Sequence, residues 1–127
     1  MTTLRSTLLA LCVATSFTAC AASPPLAPGQ WKTVKGHPLA ASTFHEECAD
    51  MKAGERIEYT FQSATPVAFN IHYHEGNAVI QPITRDGTRE ERGVLEALIP
   101  QTYCLTWEAG REATKLDYRF RLLGPKR

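Results

Sequence analysis

The residues best suited to chemistry in this chain sit in one short segment, Asn70-Ile71-His72-Tyr73-His74-Glu75-Gly76. His72 and His74 are two positions apart, which in a β-strand puts both imidazoles on one face about 7 Å apart. Two imidazoles so placed can share a Zn or Cu ion, and a carboxylate can join them. Glu75 is adjacent but points to the other face unless the chain turns back at Gly76. His45, Glu46 and Glu47 are a second source of ligands. His45 is expected near the pair if Cys48 is bridged to Cys104 and Cys104 neighbours the histidine strand. The same pattern equally fits two solvated histidines, or two satisfied by hydrogen bonds to Asn70 and its neighbours. His37, beside Pro38, is expected to face solvent.

Other chemistry has less support. Ser42 and Ser63 lack a G-x-S-x-G frame, and there is no P-loop, G-x-G-x-x-G or H-E-x-x-H. Glu46-Glu47 and Glu90-Glu91 are paired only in sequence, because adjacent strand residues point to opposite faces. A blue-copper site needs a free cysteine with a nearby histidine, and Cys104 has none downstream. No enzymatic activity and no cofactor beyond Cu or Zn at His72, His74 and His45 is expected. Lys+Arg number 14 against 13 Asp+Glu, a formal charge of +1, which argues against nucleic acid as a partner. Arg119 and Arg121 read as ordinary surface charges that oppose strand aggregation.

The four cysteines divide by position. Residues 1–19 read as a signal peptide: Arg5 supplies the positive end and 8–14 form a short apolar run. Phe17-Thr18-Ala19-Cys20 resembles the bacterial lipobox, with Phe17 where the motif prefers Leu. The resemblance implies cleavage before Cys20 and acylation of its thiol. By resemblance to lipoprotein sorting in Gram-negative bacteria, Ala21 after the cysteine, not Asp, implies an outer-membrane lipoprotein facing the periplasm. The alternative is cleavage after Ala21 at an A-x-A site, giving a soluble periplasmic protein. Residues 20–30, rich in Pro and Ala, read as a tether. Cys48 and Cys104 remain, and an exported protein sits where thiols pair. A disulfide closing a loop of that length is worth about 4 kcal/mol in the chain-entropy model. A thiolate metal site or redox pair is the other reading, although neither cysteine lies in a C-x-x-C.

The elements that must position these residues show period-two alternation. Ile57, Tyr59 and Phe61, then Val67, Phe69, Ile71 and Tyr73, then Leu116, Tyr118, Phe120 and Leu122 each alternate with polar residues, the mark of half-buried strands. Segments 79–84, 93–99 and 102–107 are further strands, and 31–34 and 39–44 add one or two. Turns are expected at 52–55, 63–66, 75–77, 85–88 and 108–111, with Asp86-Gly87 as a hairpin signal. A helix over 88–98 is disfavoured by Gly93 and ended by Pro100. Trp31, Tyr59, Phe61, Phe69, Tyr73, Tyr103, Trp107, Tyr118 and Phe120 are expected in the core. The expected fold is all-β: a small antiparallel β-sandwich of about seven to eight strands over 31–127, with one disulfide. If Tyr103, Leu105 and Trp107 face its core, Cys104 faces outward, or both faces of that strand are covered.

Cys48 shortly before Gly54-Glu55, an alternating aromatic strand, and Tyr103-Cys104-Leu105-Thr106-Trp107 near the C-terminus together resemble the GOLD (Golgi-dynamics) class of β-sandwich over roughly 44–123. That family joins an early to a late cysteine. Its coiled coil and transmembrane helix have no counterpart here, so the resemblance implies a binding module without a trafficking role. The expected protein is therefore an exported lipoprotein with a non-catalytic module that meets an envelope protein or small ligand. The alternative is a periplasmic Cu/Zn-binding protein using His72 and His74.

Overall fold

The computed structural model describes residues 25–127; the expected signal peptide, Cys12 and Cys20 lie outside them. Six strands run in chain order: β1 Lys32–Leu39, β2 Phe44–Met51, β3 Arg56–Glu75, β4 Ala78–Glu96, β5 Gln101–Ala109 and β6 Thr114–Leu123. All pairings are antiparallel. The ladder order is β1-β6-β3-β5-β2, with β4 paired to β3. No helix of the described residues is long and apolar enough to cross a membrane.

The long strand β3 makes this one ladder into two layers. Its first part, Arg56 to Ser63, pairs with β6, and its second part, Val67 to His72, pairs with β5. β4 follows β3 along its other edge through both parts. Phe61 and Tyr118 on one layer meet Phe69 and Trp107 on the other. Ring centroids are 4.8 Å apart for Phe61–Phe69 and 4.6 Å for Trp107–Tyr118. Ile57, Ile71, Leu105 and Leu116, each fully buried, complete this interior. Each such side chain contributes on the order of 2 kcal/mol by leaving water.

The all-β antiparallel fold with one disulfide is as expected, but it has six strands rather than seven to eight. Segments expected as separate strands are fused. Residues 63–66 are not a turn: the chain stays extended there while its register with β4 shifts between Gln62 and Val67. Asp86-Gly87 is not a hairpin but part of an irregularity inside β4, opposite Val67 and Phe69. The tight hairpin is at Gly76-Asn77, within the turn expected at 75–77, between the paired Glu75 and Ala78. Residues 88–96 are strand, and 40–43 are a connection rather than part of a strand.

Two further placements differ from expectation. Trp31 is not in the core. It lies on the outer face of β6, where the guanidinium groups of Arg119 and Arg121 each sit 4.5 Å from its ring, a cation–π arrangement. The end of the Pro/Ala-rich segment is held rather than free: Leu26 packs on the core, and the Gly29 N–H donates to the Leu122 carbonyl at 2.7 Å.

Cys48 and Cys104 are directly opposed on β2 and β5, bonded, with Cα atoms 4.0 Å apart. Tyr103, Leu105 and Trp107 point into the core, so the bridge lies on the outer face. It spans 56 positions of sequence and staples two neighbouring strands.

Candidate functional site

Strand pairing places a row of side chains across the outer face of β3, β5 and β2. His72 opposes Cys104, which opposes Cys48. In the next row Asn70 opposes Thr106, which opposes Glu46. The two rows form one polar cluster. Asn70 Oδ1 lies 2.8 Å from His72 Nδ1, and accepts its proton when that nitrogen is the protonated one. The other ring nitrogen, Nε2, faces Glu46 Oε2, 3.7 Å away. The Thr106 hydroxyl donates to Glu46 Oε2 at 2.9 Å and fixes the carboxylate. His72 is only 8% exposed and Cys104 6%, whereas Cys48 and Glu46 are exposed. Donor atoms of Glu46, His72 and Cys104 all lie within 4.8 Å of one another. His74 presents its ring edge-on to His72, centroids 5.3 Å apart.

His45 is not part of this cluster. The β2–β5 register pairs His45 with the core residue Trp107, so His45 and Glu47 point between the layers while Glu46 and Cys48 point out. Glu46 and Glu47 thus diverge, as adjacent strand residues must.

The inward pair builds a second site, at the open side of the sandwich where β1 and β6 face β2. Tyr118 donates its hydroxyl proton to Glu47 Oε1. Having one proton, it is therefore the acceptor from His45 Nε2–H, 2.8 Å away. Lys32 donates to the other Glu47 oxygen at 2.7 Å. His37 packs against His45, ring centroids 4.0 Å apart. Burial, followed by repulsion from His37, lowers the His45 pKa despite the opposing pull of Glu47. Burial pushes the Glu47 carboxyl up, but the hydrogen bonds from Lys32 and Tyr118 and the charges of Lys32 and His45 outweigh it and hold the group below its usual range. Burial and Glu47 push the Tyr118 phenol up. The site therefore holds a neutral imidazole, a carboxylate and an ammonium across the seam between layers.

Below this polar bridge runs a groove of about 630 Å³. Leu26, Phe120 and Leu122 supply apolar walls, and Lys32, Glu47 and Asp50 supply charge.

His37 is half-buried rather than solvent-facing, and a bulge is the cause. Val34 opposes Tyr118 and His37 opposes Leu116, so β1 carries one extra residue there. Gly36 takes a positive φ of 63°, which glycine adopts without a Cβ clash. Its N–H donates to Asp117 Oδ1 at 2.6 Å. The extra residue turns His37 inward.

The sequence matches no protein-family model and no curated protein.

Proposed function

We propose that this chain is an exported bacterial lipoprotein whose sandwich is a non-catalytic binding module at the cell envelope. In this reading residues 1–19 are removed, Cys20 carries the lipid, and the domain faces the periplasm from the outer membrane. The alternative is a soluble periplasmic form. The observation that carries the reading is the Cys48–Cys104 bridge. Structural disulfides persist in oxidising compartments. Of the four cysteines, Cys20 then ends the signal as the thiol available for acylation. The groove beside Leu26 supports binding of a small amphipathic ligand or an envelope protein, with apolar walls for contact and Lys32 and Glu47 for orientation. The GOLD-like cysteine spacing agrees with a module of this kind.

Labelling cells with radioactive palmitate tests the anchor. The expected result is label on the protein that disappears with Cys20→Ser. No label on the parent protein, or label that persists in the variant, overturns the assignment.

A second reading, a periplasmic Cu/Zn-binding protein, is favoured by one observation. His72 has Asn70 on one ring nitrogen and a carboxylate facing the other, and metal-ligating histidines are oriented in this way. Titration of the mature protein with Cu(II) and Zn(II) tests it. Micromolar or tighter binding that His72→Ala/His74→Ala abolishes supports it. Equally weak binding by both proteins refutes it.

A further inference from the structure

We propose that the outer-face cluster is a redox-gated Zn²⁺ site, which binds weakly through His72, Glu46 and His74 while Cys48 and Cys104 are bonded and tightly when they are reduced. The proposal rests on the second reading above and adds to it the ligands and the gate.

In the oxidised protein the two sulfurs are spent on each other, leaving His72 and Glu46 as a two-donor set with His74 beside it. That is fewer donors than a closed zinc site needs. Reduction adds two sulfurs in the same place. Donor atoms of Glu46, His72 and Cys104 already lie within 4.8 Å of one another, and Cys48 is bonded to Cys104. Sulfurs on one tetrahedral zinc are about 3.8 Å apart. The sulfurs must therefore separate, and the other donors draw in by on the order of 1 Å, within reach of side-chain rotation. The resulting set is two thiolates, one imidazole Nε2 and one carboxylate oxygen. Asn70 already holds His72 through Nδ1, and Thr106 holds Glu46, so both ligands are oriented before metal arrives.

The gate is reachable from solvent. Cys48 is exposed while Cys104 is buried, so an external dithiol meets Cys48 Sγ first. Its thiolate attacks that sulfur, the S–S bond breaks, and Cys104 leaves as a thiolate. The reductant's second thiolate then displaces Cys48, and the reductant becomes a disulfide. The protein has gained two electrons and two protons. Zn²⁺ binding releases those two protons, because the ligands are thiolates.

The test uses the chain from residue 20 with Cys20→Ser, so that Cys48 and Cys104 are its only thiols. Zn²⁺ affinity is measured by competition with a chromophoric chelator, before and after reduction with a phosphine under anaerobic conditions. Co²⁺ serves as the spectroscopic probe. The expected result is one Zn²⁺ bound at least about 100-fold more tightly after reduction, and a sulfur-to-cobalt charge-transfer band in the reduced protein alone. Asn70→Ala should weaken reduced-state binding about 10-fold to 100-fold, the usual effect of removing the group that orients a ligating histidine. His72→Ala should weaken it further. If the reduced chain unfolds without metal, Zn²⁺ should restore its circular dichroism; binding without refolding overturns the proposal. So does reduced-state binding indifferent to His72→Ala. Equal, tight binding in both redox states overturns the gate alone and leaves the His72/His74 reading standing. No binding in either state removes both.

Discussion

Tyr118→Phe isolates the bridge across the open side of the sandwich. The substitution keeps the ring, which packs 4.6 Å from Trp107, and removes only the hydroxyl. That hydroxyl is acceptor to His45 and donor to Glu47, so both lose a partner on the loss of one atom. Leaving a buried polar group unsatisfied costs about 1–3 kcal/mol. The His45 and Glu47 side chains are 21% and 15% exposed, so water recovers part of this, and the expected loss is about 1–2 kcal/mol. For a domain of this size that lowers Tm by about 4–16 °C. The acid limb gives a second signature. Glu47 is held below its usual value of 4.5 partly by Tyr118. A depressed carboxylate contributes stability that is present above pH 4.5 and lost as pH falls through the folded-state value. The variant has less to lose, so the gap between parent and variant should narrow below pH 4.5. Chemical denaturation from pH 7 to pH 3 reads both effects. A variant within 0.5 kcal/mol of the parent at pH 7, with an unchanged acid limb, would refute the bridge as a stabilising element.

Two other outcomes are expected. His45 is lowered below its usual 6.5 by burial and then by His37, so its contribution is complete above pH 6.5 and is lost as pH falls through the folded value. His45→Gln keeps a donor for Tyr118 but cannot titrate, and should flatten the stability profile just below pH 6.5; an unaltered profile there would show that another group causes it. Gly93→Ala would put a Cβ 2.6 Å from the Tyr59 hydroxyl oxygen and 2.8 Å from Cζ. Tyr59 is buried, packed on Phe69 and hydrogen-bonded to Glu91, so the ring has little room to yield. Overpacking of this kind costs about 1–3 kcal/mol. In a double-mutant cycle with Tyr59→Phe, read by thermal unfolding, the cost of Gly93→Ala should shrink; strict additivity would contradict the clash.

Side-chain alternation alone indicated most of this fold. Ile57-Tyr59-Phe61, Val67-Phe69-Ile71 and Leu116-Tyr118-Phe120 face the core as their period of two requires. The same rule put His72 and Asn70 on one outward face. It also held the key to His45. With Tyr103, Leu105 and Trp107 inward, Cys104 points out. A bridge then forces Cys48 and Glu46 outward and His45 inward, away from His72. The expectation that His45 would join His72 and His74 overlooked that parity.

The remaining features came from pairings distant in sequence. Alternation is blind to register, so it could not show that β3 continues through 63–66 and passes from β6 to β5, merging what looked like separate strands. Nor could it show that an extra residue at the Gly36 bulge turns His37 inward. The groove and its bridge join Lys32, Glu47 and Tyr118 from three strands, and no local pattern links them. Asn70 and His72 are near neighbours in sequence, but Glu46 and Thr106 reach them only because β5 lies between β2 and β3. The chain's local chemistry determined that it folds as an all-β domain with an outward histidine strand. Non-local strand pairing decided which donors meet at that strand, because the partner of each residue is set by register across the sheet rather than by distance along the chain.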